Sequence, residues 1–241
     1  MNHRLTICGL GPGGPDQLTA GTRDALDRPG RIFLRTSRHP TADLVATEDT
    51  FDHLYEEADT FDEVYAGIVE RLLAALADGP VTYVVPGSPL VLERSVRGLL
   101  DDDRLDVEVV PALSFLDLAW ARLAIDPVEE AVRLVDGHRF ATEAAGERGP
   151  LLVAHTHASW VLSDIKLALD ATGDQRVVVL QRLGTDDESI AEVAADDLDR
   201  LVEIVGRHLG DRLVVGAQSL EYHHPLVPGG VEGQLDVGQD P

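Results

Sequence analysis

Lysine is nearly missing from this 241-residue chain: Lys166 is the only one, and arginine carries almost all of the positive charge. Cysteine occurs once, at Cys8, which excludes an internal disulfide and a thiolate metal cage. No apolar run approaches the roughly 18 residues of a membrane span. Met1-Asn2-His3-Arg4 leads straight into a strand-like stretch, without the basic region and apolar core of a signal peptide, so the expected location is the cytoplasm. Internal repeats and long low-complexity linkers are lacking as well.

Acidic residues are what the chain has in excess, for a formal net charge of −23. Such a surface repels nucleic acid and anionic membrane and excludes both as expected partners. A salty cytoplasm or a GC-rich coding bias accounts for this composition, so the charge speaks of solvent more than of substrate. An anionic ligand would have to be drawn in by a local arginine cluster. With 44% hydrophobic residues, 26.0 kDa of chain can bury one large core or two modest ones.

Strand-like apolar runs at 4–10, 31–35, 81–86 and 106–110 alternate with helical patterns over the first half. The clearest helix is 61–77, where Phe61, Val64, Tyr65, Ile68, Val69, Leu72, Leu73 and Leu76 recur at helical spacing. Asp78-Gly79-Pro80 ends it, and a buried strand follows. This βαβα order predicts an α/β fold with a mainly parallel sheet. The rhythm changes near Ile125-Asp126-Pro127, predicting subdomains at 1–125 and 126–225 and a disordered tail at 226–241. In the second half, 151–154, 177–180 and 213–217 read as strands, 160–171 as a helix, and 189–193 as irregular or extended.

Two strings carry the chemistry. Leu5-Thr6-Ile7-Cys8-Gly9-Leu10-Gly11-Pro12-Gly13-Gly14-Pro15-Asp16 reads as a strand, a glycine-rich turn and a helix start, a form of ligand cradle. Its Gly9-x-Gly11-x-x-Gly14 matches the dinucleotide fingerprint by letter. That reading also asks for an acidic residue after the second strand, where Arg35 and Thr36 stand; Arg35 suits a ribose phosphate, which keeps NADP open. The second string is Val84-Val85-Pro86-Gly87-Ser88-Pro89-Leu90-Val91, again a strand emptying into a turn. A third loop holds Ser114, a candidate helix N-cap, and Phe115. Each turn alone suits an ordinary strand-to-helix connection, but three turns beyond the carboxyl ends of strands can face one cleft. Cys8, on the first buried strand, reads as a small core residue rather than a nucleophile. His155-Thr156-His157 and His223-His224 invite a metal, but no third ligand of suitable spacing is visible, so no metal site is assigned.

The chain resembles the tetrapyrrole (corrin/porphyrin) methylases. Gly9 to Thr19 looks like the GxGPGxxxxLT loop of that family, and Gly87-Ser88-Pro89 looks like its G-D/H/S-P turn. It is similar in particular to the methylase-like N-terminal domain of YabN/MazG-type proteins. The shared stations are Arg35-Thr36 with His39-Pro40, the run from Val85 to Val96, Ser114-Phe115 with Asp117, Leu123 with Ile125-Asp126-Pro127, Val135-Asp136-Gly137 and Lys166-Leu167. The resemblance runs over about 5–220.

It implies the class III methyltransferase fold, two α/β subdomains with S-adenosylmethionine in the cleft between them. Gly9, Gly11, Pro12 and Gly13 would line one wall. Pro86, Gly87, Ser88, Pro89 and Val91 would offer backbone groups to the methionine portion, followed by Ser114 and Phe115. His155 and Thr156, with Gly184, would cover the adenine. Arg35, His39 and Tyr65 are candidates for proton handling or for gripping the acceptor, a small molecule of which tetrapyrroles are the family example. Helix capping and ion pairing are the alternative roles for Arg35 and His39, and Tyr65 lies on an apolar helix face. The family also implies a homodimer.

Two departures shape the functional expectation. Where the catalytic family usually has GPGD, this chain has Gly13-Gly14, so a carboxylate beside the donor is missing. No Glu-x-x-Glu array of a MazG pyrophosphohydrolase is present either. The readings are therefore a methyltransferase, or a donor-binding regulatory module that works with a separate MazG-type protein. A peptide or small-molecule methylase on the same fold is a third.

Overall fold

The computed structural model describes residues 3–145, 149–156, 159–170, 176–195, 198 and 213–218. The chain divides into two compact units, Met1–Asp117 and Leu118–Pro241. The tail 226–241, His157 and the His223-His224 pair lie outside the described residues.

In the first unit β1 (His3–Gly9), β2 (Arg31–Leu34), β3 (Val81–Val85) and β4 (Leu105–Val110) form a sheet of order β2-β3-β1-β4. All three pairings are parallel, as the alternating pattern predicts. All five residues of β3 are buried because both faces of the sheet are covered. Val81, Tyr83 and Val85 point into one core with Leu5, Ile7 and Phe33. Val84 joins the other, with Cys8, Leu10, Leu34 and Val110.

Helix α1 (Ala20–Leu26) follows β1, and α2 (Asp52–Glu57) and α3 (Phe61–Leu76) lie between β2 and β3. A capping box starts α3: the Thr60 hydroxyl oxygen accepts from the Glu63 amide at 3.3 Å, and the Glu63 carboxylate accepts from the Thr60 amide at 3.2 Å. Val64, Ile68, Leu72 and Leu76 are buried as their spacing predicts. Phe61 departs from that stripe; it is 64% exposed, with its ring against Tyr55 and Tyr65. Helix α4 (Arg94–Leu100) leads to β4, and α5 (Phe115–Leu123) follows it.

The second unit is built from β5 (Arg133–Asp136), α6 (Phe140–Glu143), β6 (Leu151–Ala154), α7 (Ser159–Asp170), β7 (Arg176–Gln181), β8 (Ser189–Ala194) and β9 (Leu213–Gln218). Its sheet order is β5-β6-β9-β7-β8. Only the β5–β6 pairing is parallel among the described strands; β6–β9, β9–β7 and β7–β8 are antiparallel. The parallel pairing read from the first half of the chain does not extend to this sheet: the short 182–188 connection returns β8 against β7 as a hairpin, and a parallel pairing would need a longer crossover. Val161, Leu162, Ile165 and Leu169 of α7 pack on Val135, Val153, Val177 and Val179.

Candidate functional site

The carboxyl ends of β3, β1 and β4 are neighbours in the first sheet, and the loops leaving them meet. The Gly11 amide donates to the Gly87 carbonyl at 3.2 Å, and the Gly87 amide donates to the Gly11 carbonyl at 2.8 Å. Both glycines adopt left-handed backbone, with φ of 74° and 67°, which side chains disfavour. Gly9 answers a different demand. A methyl group there would lie 2.0 Å from the Gly87 carbonyl oxygen, 2.8 Å from Cβ of Ala112 and 2.9 Å from Cδ of Pro89. The third loop is joined again where the Thr19 hydroxyl donates to the Pro111 carbonyl at 3.3 Å.

These glycines thus serve loop-to-loop packing, and the amides of Gly11 and Gly87 are spent on each other. The groups left at the partly open surface of this junction belong to Pro12, Pro86, Ser88 and Val91, while Gly13 and Pro89 are buried. The helix start expected after the glycines is a single 3-10 turn, Pro15–Gln17; α1 begins at Ala20 with Thr19 as its N-cap. A dinucleotide fingerprint requires a helix opening at its last glycine, so the match by letter does not carry over to geometry. Gly14 has φ −72° and ψ 174°, extended backbone open to any residue.

His39 is placed on this junction. Its Nε2 lies 3.0 Å from the Gly11 carbonyl oxygen, and its Nδ1 lies 3.3 Å from the Thr41 amide nitrogen and 2.9 Å from the Thr41 hydroxyl. The Thr41 amide can only donate, so Nδ1 accepts and Nε2 carries the proton given to Gly11.

Arg35, after β2, reaches a buried network. Its Nε lies 2.9 Å from Oε1 of Glu93, whose side chain is 7% exposed, and its guanidinium lies over the Tyr55 ring. That contact is an ion pair by distance; among the described residues Nε has no aligned hydrogen-bond partner. The Glu93 carboxylate accepts from the Ser95 hydroxyl at 2.7 Å and from the Ser95 amide at 3.3 Å, and the Tyr83 hydroxyl lies 2.9 Å from the Ser95 oxygen. Burial drives the Tyr83 phenol well above its ordinary range and the Tyr55 phenol up to about 12, the nearby Arg35 charge opposing both. With its charge matched by Glu93, Arg35 is not set up for a ribose phosphate. Tyr65 stands in the neighbouring stack, under the Arg94 guanidinium at 5.2 Å and beside Phe61.

Ser114 caps α5 as its sequence context suggests. Its hydroxyl donates to the Asp117 carboxylate at 2.9 Å, its amide donates to the same oxygen, and its oxygen accepts from the Leu116 amide at 3.1 Å. Phe115 is buried beside it. Burial pushes the Cys8 thiol up to about 12, as befits a core residue.

In the second unit His155 follows β6 and adopts left-handed backbone, φ 59°, and Thr156 is fully buried. Gly184 sits in the turn after β7 with φ 80°; its amide donates to the Glu188 carboxylate at 2.7 Å, which Arg122 also holds. The sequence offered no third ligand beside His155. The fold supplies two neighbours, since ligand atoms of Asp136, His138 and His155 all lie within 4.8 Å of one another. The signal is weak: Asp136 reads only as part of the Val135-Asp136-Gly137 station, and His138 is not singled out.

Comparison with known proteins gives a consistent result. The family model of Tetrapyrrole (Corrin/Porphyrin) Methylases matches residues 4–199. "Uncharacterized protein YabN" of Bacillus subtilis (strain 168) is 32% identical over 213 residues, which cover 85% of this chain and 43% of YabN. The chain therefore spans less than half the length of that relative. The crystal structure of uroporphyrin-III-C-methyltransferase from Thermus thermophilus superposes with a TM-score of 0.67 at 22% identity, covering 89% of this chain and 94% of that one. Precorrin-6Y methylase (cbiE) from Archaeoglobus fulgidus gives 0.64 at 22% identity, covering 90% and 98%. A Thermus thermophilus uroporphyrin-III C-methyltransferase complexed with S-adenyl homocysteine gives 0.60 at 17% identity, covering 88% and 91%.

Proposed function

The chain belongs to the tetrapyrrole (corrin/porphyrin) methylases, and on that premise we propose that it is an S-adenosylmethionine-dependent methyltransferase acting on a small molecule. The observation that carries this reading is the junction of three strand-end loops at Gly9, where Gly87, Pro89 and Ala112 meet with no room for a methyl group. A cradle so tightly fixed suits a ligand that must be held in one orientation. Pro12, Pro86, Ser88 and Val91 would hold the methionine portion, with Gly9, Gly11, Gly13, Gly87 and Pro89 shaping the wall behind them. His155, Thr156 and Gly184 are the proposed adenine side, and Phe115 with the capped Ser114 the third loop.

S-adenosylmethionine supplies a methyl group already activated on a sulfonium. The remaining work of the chain is to align, to exclude water, and to remove a proton only where the acceptor carries one. His39 and Arg35 then read as positioning residues: His39 holds the glycine loop through Gly11, and Arg35 ties the end of β2 to Glu93. Tyr65, whose ring stacks on Phe61 and carries the Arg94 guanidinium over its face, is the third candidate for meeting the acceptor. We further propose a homodimer, as the family resemblance implies.

A second reading is favoured by Gly14. The backbone there would accept an aspartate, yet the carboxylate of the family pattern is missing. On this reading the chain binds the donor without turnover and regulates a separate MazG-type pyrophosphohydrolase. Incubation with methyl-labelled S-adenosylmethionine and a panel of tetrapyrroles separates the two. Label in an acceptor supports the enzyme; donor bound stoichiometrically with no label transferred supports the module.

A further inference from the structure

We propose that Asp136, His138 and His155 form a binding site for a divalent transition ion of the zinc class. The placement comes from the parallel pair β5 and β6, in which Asp136 stands opposite Ala154. The carboxylate therefore leaves the last residue of one strand beside the point where His155 leaves the other. His138 is brought in by the 3-10 turn Gly137–Arg139. Gly137 lets that turn close against β6, because a methyl group there would lie 2.9 Å from the Ala154 carbonyl and 2.8 Å from Cγ1 of Val161.

The two imidazole-to-carboxylate separations are those of a coordination sphere, and the three ligand atoms all lie within 4.8 Å of one another. Nδ1 of His138 lies 2.9 Å from Oδ1 of Asp136, and Nδ1 of His155 lies 3.3 Å from Oδ2. Donors bound to zinc at about 2.0–2.2 Å stand about 3 to 3.5 Å apart, so an ion can enter with small side-chain rotations. Two imidazoles and one carboxylate select a zinc-like ion over magnesium or calcium, which prefer oxygen alone. The side chains are between 27% and 39% exposed, which leaves open positions for a further ligand. A second observation is independent of the donor set: His155 keeps φ 59°, a conformation that costs a non-glycine residue and clusters at functional sites. The competing role is structural, with Asp136 merely capping the 3-10 turn through the His138 amide at 3.0 Å.

Trp160 provides a reporter, its ring centroid 5.3 Å from that of His138. The test uses the full, untagged, chelator-treated chain without methyl donor, so its outcome does not depend on the methyltransferase reading. Sodium chloride at about 0.5 M screens the acidic surface. Calorimetry with Zn²⁺ is expected to give one site per chain with a Kd below about 10 μM. Co²⁺ is expected to develop visible absorption while quenching tryptophan emission, and Mg²⁺ to do neither. Trp160→Phe should remove most of the quenching and keep the Zn²⁺ affinity. His138→Gln and His155→Gln should each weaken Zn²⁺ at least about tenfold, circular dichroism confirming the fold. Affinity unchanged in both variants, affinity lost instead in a His223→Ala/His224→Ala chain, or no binding tighter than millimolar would each overturn the proposal.

Discussion

His39 reaches across from the loop after β2 to place Nε2 3.0 Å from the Gly11 carbonyl oxygen, the same oxygen that accepts from the Gly87 amide at 2.8 Å. One carbonyl thus joins three loops. His39→Ala removes one of its two donors and is expected to cost about 1 kcal/mol. Amide hydrogen exchange should accelerate around residues 11–14, and His39→Gln should recover part of the loss. Unchanged exchange would show that the Gly11–Gly87 bridge alone fixes the loop.

The Arg35–Glu93 pair should behave as a coupled buried unit. Glu93→Ala leaves the guanidinium enclosed without its counter-charge and is expected to cost about 3 kcal/mol in urea unfolding. The Arg35→Ala/Glu93→Ala double variant should cost clearly less than the sum of the single changes. Additive losses would mean that the two charges do not act on each other.

Cys8 is expected to resist thiol reagents in the native protein and to react fully in denaturant, since burial both shields it and holds the thiol up to about 12. Labelling followed by mass spectrometry measures this, and fast native labelling would contradict the β1 packing.

Asp52 gives the pH dependence a sign. Burial pushes its carboxyl up, but the hydroxyls of Thr36 and Ser37, the Ser37 amide and the Arg38 charge outweigh burial and hold it below its ordinary value. A folded-state pKa below the unfolded value of about 3.9 means stability fully present above that pH and lost as pH falls through the folded value. The stability difference between wild type and Asp52→Asn should therefore be constant from pH 5 to 7, by denaturant titration, and shrink below about pH 4.

Gly14→Asp is expected to fold normally, because the extended backbone at Gly14 suits any residue and aspartate is a good cap for the Pro15–Gln17 turn. If turnover is limited by the missing carboxylate, methyl transfer should rise in this variant while donor affinity stays within a few-fold.

Much of this architecture is legible in the residues themselves. The run at 81–86 could be read because a strand buried on both faces is continuously apolar, and α3 because its apolar residues recur at helical spacing. β5 was harder: only Val135 of its four residues is buried, leaving little apolar pattern to detect. The glycines were readable as a turn but not as a mutual bridge, since the contact between Gly11 and Gly87 joins residues far apart in sequence. Likewise Arg35 after β2 and Glu93 at the start of α4, or Asp136 and His155 at neighbouring strand ends, are brought together by the fold and not by any local spacing.

The central claim is that the loop junction around Gly9 and Gly87 belongs to a methyl-donor site. Isothermal calorimetry of the full chain with S-adenosylhomocysteine tests it most directly. The account expects one site per chain with a Kd in the micromolar range, weakened at least about tenfold by His39→Ala. No binding of S-adenosylhomocysteine or S-adenosylmethionine below about 1 mM would contradict it.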